Sequence, residues 1–561
     1  MDVFPIRQGQ FVLRFRIVCL LLCSPQLAPD QQAFAQTPLE QANPLVAGQG
    51  LPTSSTLPSA RAPQVEVSAP PMDQAIASEE GHFAGAIRIV GARQIPVSAF
   101  SGAIEPFVGQ RLRKDDLARL SRAVADAARK RGYVFATAWV PKQVLSMGIL
   151  TVRLDEGDVS RIQINGPDNR QVRKILAVLK GHAPLGEELE RQLLLVANVP
   201  GVVLNKVRFE RQGGKGVLVA DVTQDRVKAY ASVDNLGSDT VGPVRAILSV
   251  DLNSLLLGGD VLTVQGVATA AQPGELSYGA VRYAMPLGAR GTTLALHGSG
   301  GVTKPGGALK GSGVSGRSAE AGIEISQAIV RNRKLNVSVF ADFSILAVQQ
   351  NLSGLRFRDD RVTTLALGLL ADTALLGGRL RETVTVVRGL GLFGATGFGD
   401  PLASRDDASG RFTFMNAYIE WTGTVIGPVS LKVAGTGQIA SGPLLSVNEM
   451  GLGGSRFGRA YGYSERTGDE GVAGNVEART DFKKPIPWVD WLQLYAFADG
   501  GVVRNFNNGF GGGELYSGGA GFRARVGKVN LGVESAFPIN ADRFDSGNRS
   551  ARFNFQVSAG F

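Results

Sequence analysis

Cysteine is nearly missing from this sequence: of 561 residues only Cys19 and Cys23 are cysteine, both close to the start. Histidine is almost as scarce, with His82, His182 and His297 far apart. These shortages exclude a metal site of sulfur and imidazole, a thiol nucleophile and a histidine-based triad set in a motif. No later apolar run reaches the ~20 residues that a membrane-crossing helix needs, so any crossing must be made by strands. Charged residues make up only 19%, and the net charge of +10 is spread without a dense Lys/Arg run. Nucleic acid is therefore not an expected partner.

Glycine is abundant instead, 72 residues in all, with no collagen-like period. Residues 1–35 read as an export signal: Arg7, Arg14 and Arg16 are followed by the short apolar core Ile17–Cys23 and the cleavage site Ala33-Phe34-Ala35. Residues 36–82 are rich in Pro, Ala, Ser and Gln, which predicts a disordered linker.

From residue 83 the texture becomes α+β. An amphipathic helix is expected over Asp115 to Lys130, with Leu117, Leu120, Val124 and Ala128 on one face and Gly132 as its stop. Strands follow at Val134–Val140 and Ile149–Leu154, around the turn Ser146-Met147-Gly148. A similar order recurs: a strand at Val159–Ile164, helices at Gln171–Lys180 and Gly186 to Ala197, then strands at Val203–Phe209 and Val217–Val222. Two copies of one small module, residues 83–157 and 158–225, are the simplest account.

From 226 to 561 segments of about ten residues alternate apolar with polar, separated by Gly, Asp, Asn and Pro. The last segment puts Phe553, Phe555, Val557, Ala559 and Phe561 on one face, opposite Arg552, Asn554, Gln556 and Ser558. A final strand ending on an aromatic residue, in an exported chain without mature cysteine, points to an outer-membrane barrel and marks Phe555, Val557, Ala559 and Phe561 as its assembly signal. At ~20 residues per strand and connection, this stretch supplies about 16 antiparallel strands.

Three stretches resemble one family. Arg131-Gly132-Tyr133-Val134, Val140-Pro141-Lys142-Gln143, Gly148 and Glu156-Gly157 form the first; Leu193-Leu194-Leu195 with Val199-Pro200-Gly201 forms the second. The third runs from Gly453-Gly454 through Gly458-Arg459-Ala460-Tyr461 to Gly468-Asp469-Glu470-Gly471, and Phe497-Ala498-Asp499-Gly500-Gly501 follows. Together they resemble the outer-membrane transporters of two-partner secretion, the haemolysin-activator and filamentous-haemagglutinin-transporter type. That resemblance implies two periplasmic polypeptide-transport-associated (POTRA) modules ahead of a 16-stranded barrel in the outer membrane of a Gram-negative cell. It implies a transporter rather than an enzyme, with no cofactor and no metal. The partner would be a secreted client like filamentous haemagglutinin or haemolysin, beside membrane lipid and the barrel-assembly machinery.

It further implies a loop near 453–471 folded into the barrel. There Arg459 would meet Asp499 as a latch, in two-pronged fashion where geometry allows, with Gly458, Tyr461, Phe497 and Gly501 completing the motif. Gly458 and Ala460 depart from the family's valine and glycine. Tyr133, Pro141 and Gln143 would belong to a client-binding signature, where a sheet edge could take an extended segment as an added strand. The alternatives are an insertase of the same superfamily, or a porin-type channel. Gly389-Leu390-Gly391-Leu392-Phe393-Gly394 matches a dinucleotide fingerprint, but no amphipathic helix follows, so these read as strand and turn glycines.

Overall fold

The computed structural model describes residues 42–44, 65–67, 81–143, 148–507 and 509–561. The export signal, most of the linker, and Ser146 and Met147 fall outside them.

In the first module helix α1 (Lys114–Lys130) begins where Asp116 accepts the Arg113 N–H at 2.8 Å. Acidic Asp115 and Asp116 in its first turn suit the positive end of the helix dipole. Leu117, Leu120, Val124 and Ala128 are buried against a three-stranded sheet ordered Ala86–Val90, Ile149–Asp155, Thr137–Trp139. Gly132, at φ +97°, supplies the left-handed stop. The strand expected over Val134–Val140 is only Thr137–Trp139, because Phe135 turns away to stack on Phe209 of the second module at 4.2 Å. The modules therefore share apolar packing across the expected boundary at 157.

The second module holds α2 (Arg170–Ala177), capped by the Asn169 side chain accepting the Gln171 and Val172 N–H groups, and α3 (Gly186–Val196). Its sheet order is Val65–Val67, Val202–Gln212, Lys215–Gln224, Val159–Asn165. The outermost strand comes from the stretch expected to be linker. Val65 pairs with Val207 and Val67 with Phe209 in parallel, and Glu66 meets Lys206 at 2.8 Å.

Sixteen antiparallel strands, from Val227–Asp234 to Arg552–Gly560, close into a barrel. Alternation sorts the wall: Phe553, Phe555 and Val557 are exposed toward lipid while Asn554 is buried inside. The short turns lie at the end where the second module docks. Arg191 of α3 donates to the carbonyls of Ala328, Ile329 and Arg290 at 2.9, 3.0 and 3.2 Å, and Gln171 donates to the Gly288 carbonyl at 2.7 Å. The longer loops crowd the opposite, outward end. There the Ala42 carbonyl accepts the Thr303 hydroxyl at 2.5 Å, and Ala42 and Asn43 are buried on the lumenal face.

Candidate functional site

Between the eleventh strand (Val429–Ala440) and the twelfth (Glu470–Ile486) the chain turns inward. A small hairpin, Met450–Leu452 with Arg466–Gly468, carries the tip 453–465 into the lumen. Leu452, Ala460 and Tyr461 are fully buried there against Ala473, Tyr495, Phe497 and Leu515 of the wall. Gly458 takes φ +82°, left-handed backbone in which a valine would be strained, so glycine at this position fits the local path of the loop.

Arg459 is buried and faces three carboxylates. Its Nε lies 3.1 Å from Asp499 Oδ2, and its Nη1 lies 2.8 Å from Glu477 and 2.9 Å from Glu534. The expected two-pronged pairing with Asp499 is not formed: the Nε contact is an ion pair out of hydrogen-bond alignment, while the outer nitrogen is drawn to the two glutamates. Asp499 instead spends Oδ1 on backbone, accepting the Gly458 and Arg459 N–H groups at 2.9 and 3.3 Å together with the Ser517 hydroxyl. The Phe497 ring lies under the guanidinium at 4.1 Å, a cation–π contact. Gly501 is required by close approach, since a side chain there would collide with the Val472 carbonyl and Ala473.

Glu477 is gripped from the other side by Arg479 at 2.6 Å and Arg523 at 2.8 Å. Arginines 459, 479 and 523 thus face Asp499, Glu477 and Glu534, three charges of each sign, with Arg523 at the cluster's half-exposed edge. Balance matters, because an unpaired charge in this setting is far costlier than a paired one. Tyr461 locks the tip: its hydroxyl is 3.2 Å from the Tyr516 and Ala541 carbonyls and from the Asn540 side-chain oxygen.

Glu477 and Glu534 were not singled out from the sequence. Alternation does place both on the lumenal face, with lipid-facing Val476 and Val533 beside them, but it gives no reason to prefer them over other lumenal carboxylates.

The remaining candidates lie elsewhere. In the first module Gln143 donates its amide to the Thr151 carbonyl at 2.8 Å and accepts the Thr151 N–H at 2.9 Å, extending a strand ladder with a side chain. Pro141 is half-buried one turn away, and Tyr133 packs on the module core. Among the described residues the outer strands of the module sheets are Ala86–Val90 and Thr137–Trp139 in the first module, beside the two-stranded pair His82–Ala84 and Gln110–Leu112, and Val65–Val67 and Val159–Asn165 in the second. Phe555, Val557, Ala559 and Phe561 run along the closing strand. Phe561 exchanges backbone hydrogen bonds with Ala229 at 2.9 and 3.1 Å, and its ring is exposed beside Lys528. Among the described residues no cluster could hold a metal ion.

The model of the family described as haemolysin secretion/activation protein ShlB/FhaC/HecB matches residues 213–524, and that of the ShlB-type POTRA domain matches 85–157. The heme/hemopexin transporter protein HuxB of Haemophilus influenzae (strain 86-028NP) is 22% identical over 428 residues, 74% of each chain. The outer membrane transporter CdiB of Escherichia coli O6:K15:H31 is 25% identical over 188 residues, 32% of each. Among solved structures, CdiB from Escherichia coli superposes with a TM-score of 0.68 at 19% identity, over 93% of this chain and 95% of that one. BamA from Haemophilus ducreyi lacking POTRA domains 1–3 gives 0.53 at 11% identity, over 86% and 100%.

Proposed function

The chain belongs to the haemolysin secretion/activation family of two-partner secretion transporters, and from that membership and the geometry above we propose how its parts divide the work. It is an outer-membrane translocator for an exported client protein, with its POTRA modules on the periplasmic side. The client we assign is a large β-rich protein of the filamentous haemagglutinin or haemolysin kind. The modules capture it as an added strand on a free sheet edge, where backbone bonds give affinity without demanding one sequence.

Arg459 and its three carboxylates act as the latch that holds the tip of the loop in the pore. The observation that carries this reading is the buried contact of Arg459 with Asp499, Glu477 and Glu534 on three different wall strands, with Arg479 and Arg523 supplying the remaining positive charge. Releasing the tip separates Arg459 from its carboxylates and also uncovers Leu452, Ala460 and Tyr461, so charge and apolar packing hold the loop together. Tyr133, Pro141 and Gln143 shape the first module around its edge strands. The barrel-assembly machinery inserts the barrel, and Phe555 to Phe561 form the strand it reads.

Deleting residues 83–157 tests the division of labour. Secretion of a co-expressed client should be lost while the barrel stays in the outer membrane and remains heat-modifiable on gels. Normal secretion by the deletion variant would remove the first module from the mechanism.

A further inference from the structure

The glycine run Gly389–Gly394 leads out of the ninth barrel strand (Gly378–Leu390) into the long loop before the tenth (Thr413–Ile426). Its first turn folds over the outside of the wall. Thr363, on the eighth strand, donates its hydroxyl to the Leu392 carbonyl at 3.0 Å, and Phe393 meets the Phe343 ring edge-on at 6.3 Å. Leu392, Phe393 and Phe398 are 49%, 66% and 79% exposed, an unusual amount of apolar surface for one short loop segment.

Strand register identifies the side. Phe343, Leu365, Arg388 and Thr413 are cross-strand partners and form one row; Ala341, Leu367, Val386 and Met415 form the next. Leu367, Val386 and Met415 are exposed, so this face of the barrel meets acyl chains. Arg388 projects from that same face at its outward end and reaches the Thr413 hydroxyl at 2.6 Å. Arg411 lies across Gly391, where any side chain would collide with its guanidinium; here the glycine makes room for a cation. Arg361 ends beside Gly394, its Nη1 3.6 Å from where a side-chain carbon would stand. Among the described residues, the carboxylate within ion-pair reach of these three arginines is Asp359, 3.6 Å from Arg361 and already held by Arg356 at 2.9 Å.

We infer that this ledge binds a phosphorylated, multiply acylated glycolipid of the outer leaflet, with phosphates on Arg361, Arg388 and Arg411 and acyl chains against Leu392 and Phe393. The inference requires only that the barrel spans the outer membrane. The guanidinium fork takes phosphate oxygens two at a time and is weakly hydrated, which suits the edge of a hydrocarbon layer. Arg361 and Arg388 arise from neighbouring strands about 4.8 Å apart and Arg411 from the loop end just before the tenth strand, a spread that matches a headgroup carrying more than one phosphate.

The test uses the full-length protein in nanodiscs of phosphatidylcholine doped with bisphosphorylated lipid A, its dephosphorylated form or phosphatidylglycerol, with retained lipid counted by native mass spectrometry. Bisphosphorylated lipid should be retained at least tenfold over both others. R388Q/R411Q should lose about tenfold per arginine, while R549Q, an exposed outer-loop arginine away from the ledge, retains lipid as the parent does. Equal retention of the dephosphorylated form or of phosphatidylglycerol would overturn the site, as would unchanged retention in a heat-modifiable R388Q/R411Q barrel. Should that variant not assemble, the comparison of the three lipids on the parent protein decides alone.

Discussion

Arg552 donates from Nη1 to the Tyr461 carbonyl at 2.8 Å, so the closing strand of the barrel holds the tip of the in-folded loop by its backbone. Its Nη2 donates to the Gly237 carbonyl at 3.0 Å, just beyond the end of the first strand. One side chain therefore ties the loop to both strands that meet at the seam. Next to it the Asn235 amide donates to the Phe553 carbonyl and accepts the Phe555 N–H, each at 2.7 Å, carrying the ladder past its last backbone pair. Arg552→Met should strand two buried carbonyls at a cost of about 1.5–3 kcal/mol. The expected outcome is a larger, more variable conductance in planar bilayers, with heat-modifiability kept. Conductance identical to the parent would separate the loop from the seam.

Replacing Arg459 by alanine should reduce client secretion without removing the protein from the membrane, because the buried carboxylates Asp499 and Glu534 lose their cation. Breaking a buried pair from one side costs about 3–5 kcal/mol. Glu477 keeps Arg479 and Arg523, so its own substitution should behave differently. Asp499→Ala combined with Arg459→Ala should be little worse than Arg459→Ala alone, since partners in one network lose their interaction once. Arg459→Lys should rescue poorly: one ammonium cannot reach Asp499 with one nitrogen and two glutamates with another. Secretion and barrel abundance measured together distinguish these outcomes, and strictly additive losses would mean that the residues act separately.

A second buried arginine organises the outward loops. Arg405 binds Asp407 through two nitrogens at 3.1 Å, Glu449 at 3.0 Å, Asp469 at 2.9 Å and the Phe506 carbonyl at 3.1 Å. Asp469, fully buried, also accepts the Leu444 and Phe506 N–H groups at 2.7 and 2.8 Å. Arg405→Ala would leave three carboxylates facing one another. Faster cleavage of loops 441–449 and 505–512 by protease added to intact cells is the expected result, and an unchanged cleavage rate would count against the clasp.

Phe561→Ser should lower the amount of heat-modifiable barrel in outer-membrane fractions. The ring is exposed on the lipid side of the closing strand beside Lys528, where a hydroxyl contributes neither apolar contact nor the cation–π interaction. The backbone bonds to Ala229 remain possible, so the loss should be partial. Full abundance would show that the ring has no part in assembly.

Much of this architecture was legible in the sequence because it is periodic. The heptad-like face of α1, the alternation of Phe553 to Phe561 and the glycine stop at 132 each follow from local geometry, and the motif residues around Arg459 and Asp499 were recognisable as letters. What alternation supplies is a face, not a partner. That Arg459 would take Glu477 and Glu534, or that Arg405 would meet Asp469, depends on strand register and loop path over separations of 18 to 75 residues. The strand Val65–Val67 was hidden for another reason: three residues in a Pro-rich stretch carry no period, and their order comes from the partner strand Val202–Gln212. Phe135 was lost from its expected strand because a neighbouring module offered its ring a stacking partner.

The seam joins the first barrel strand to the sixteenth through five ladder pairs, Tyr230 with Gly560 to Asp234 with Gln556, continued by backbone bonds of Ala229 with Phe561 and Asn235 with Phe555, against eight ladder pairs between the first strand and the second. Every other pairing in the wall closes a hairpin or a loop; this one closes a span of more than 300 residues. Loop-closure entropy sets that span about 2.5 kcal/mol above a 20-residue hairpin. By that cost the free edge of Val227–Asp234 is expected to pair last, and an unpaired edge is an open template for any passing strand. Closing the first strand on the sixteenth therefore carries the largest loop-closure cost in the wall, and until it is made the eight-residue edge Val227–Asp234 needs shielding from stray pairing.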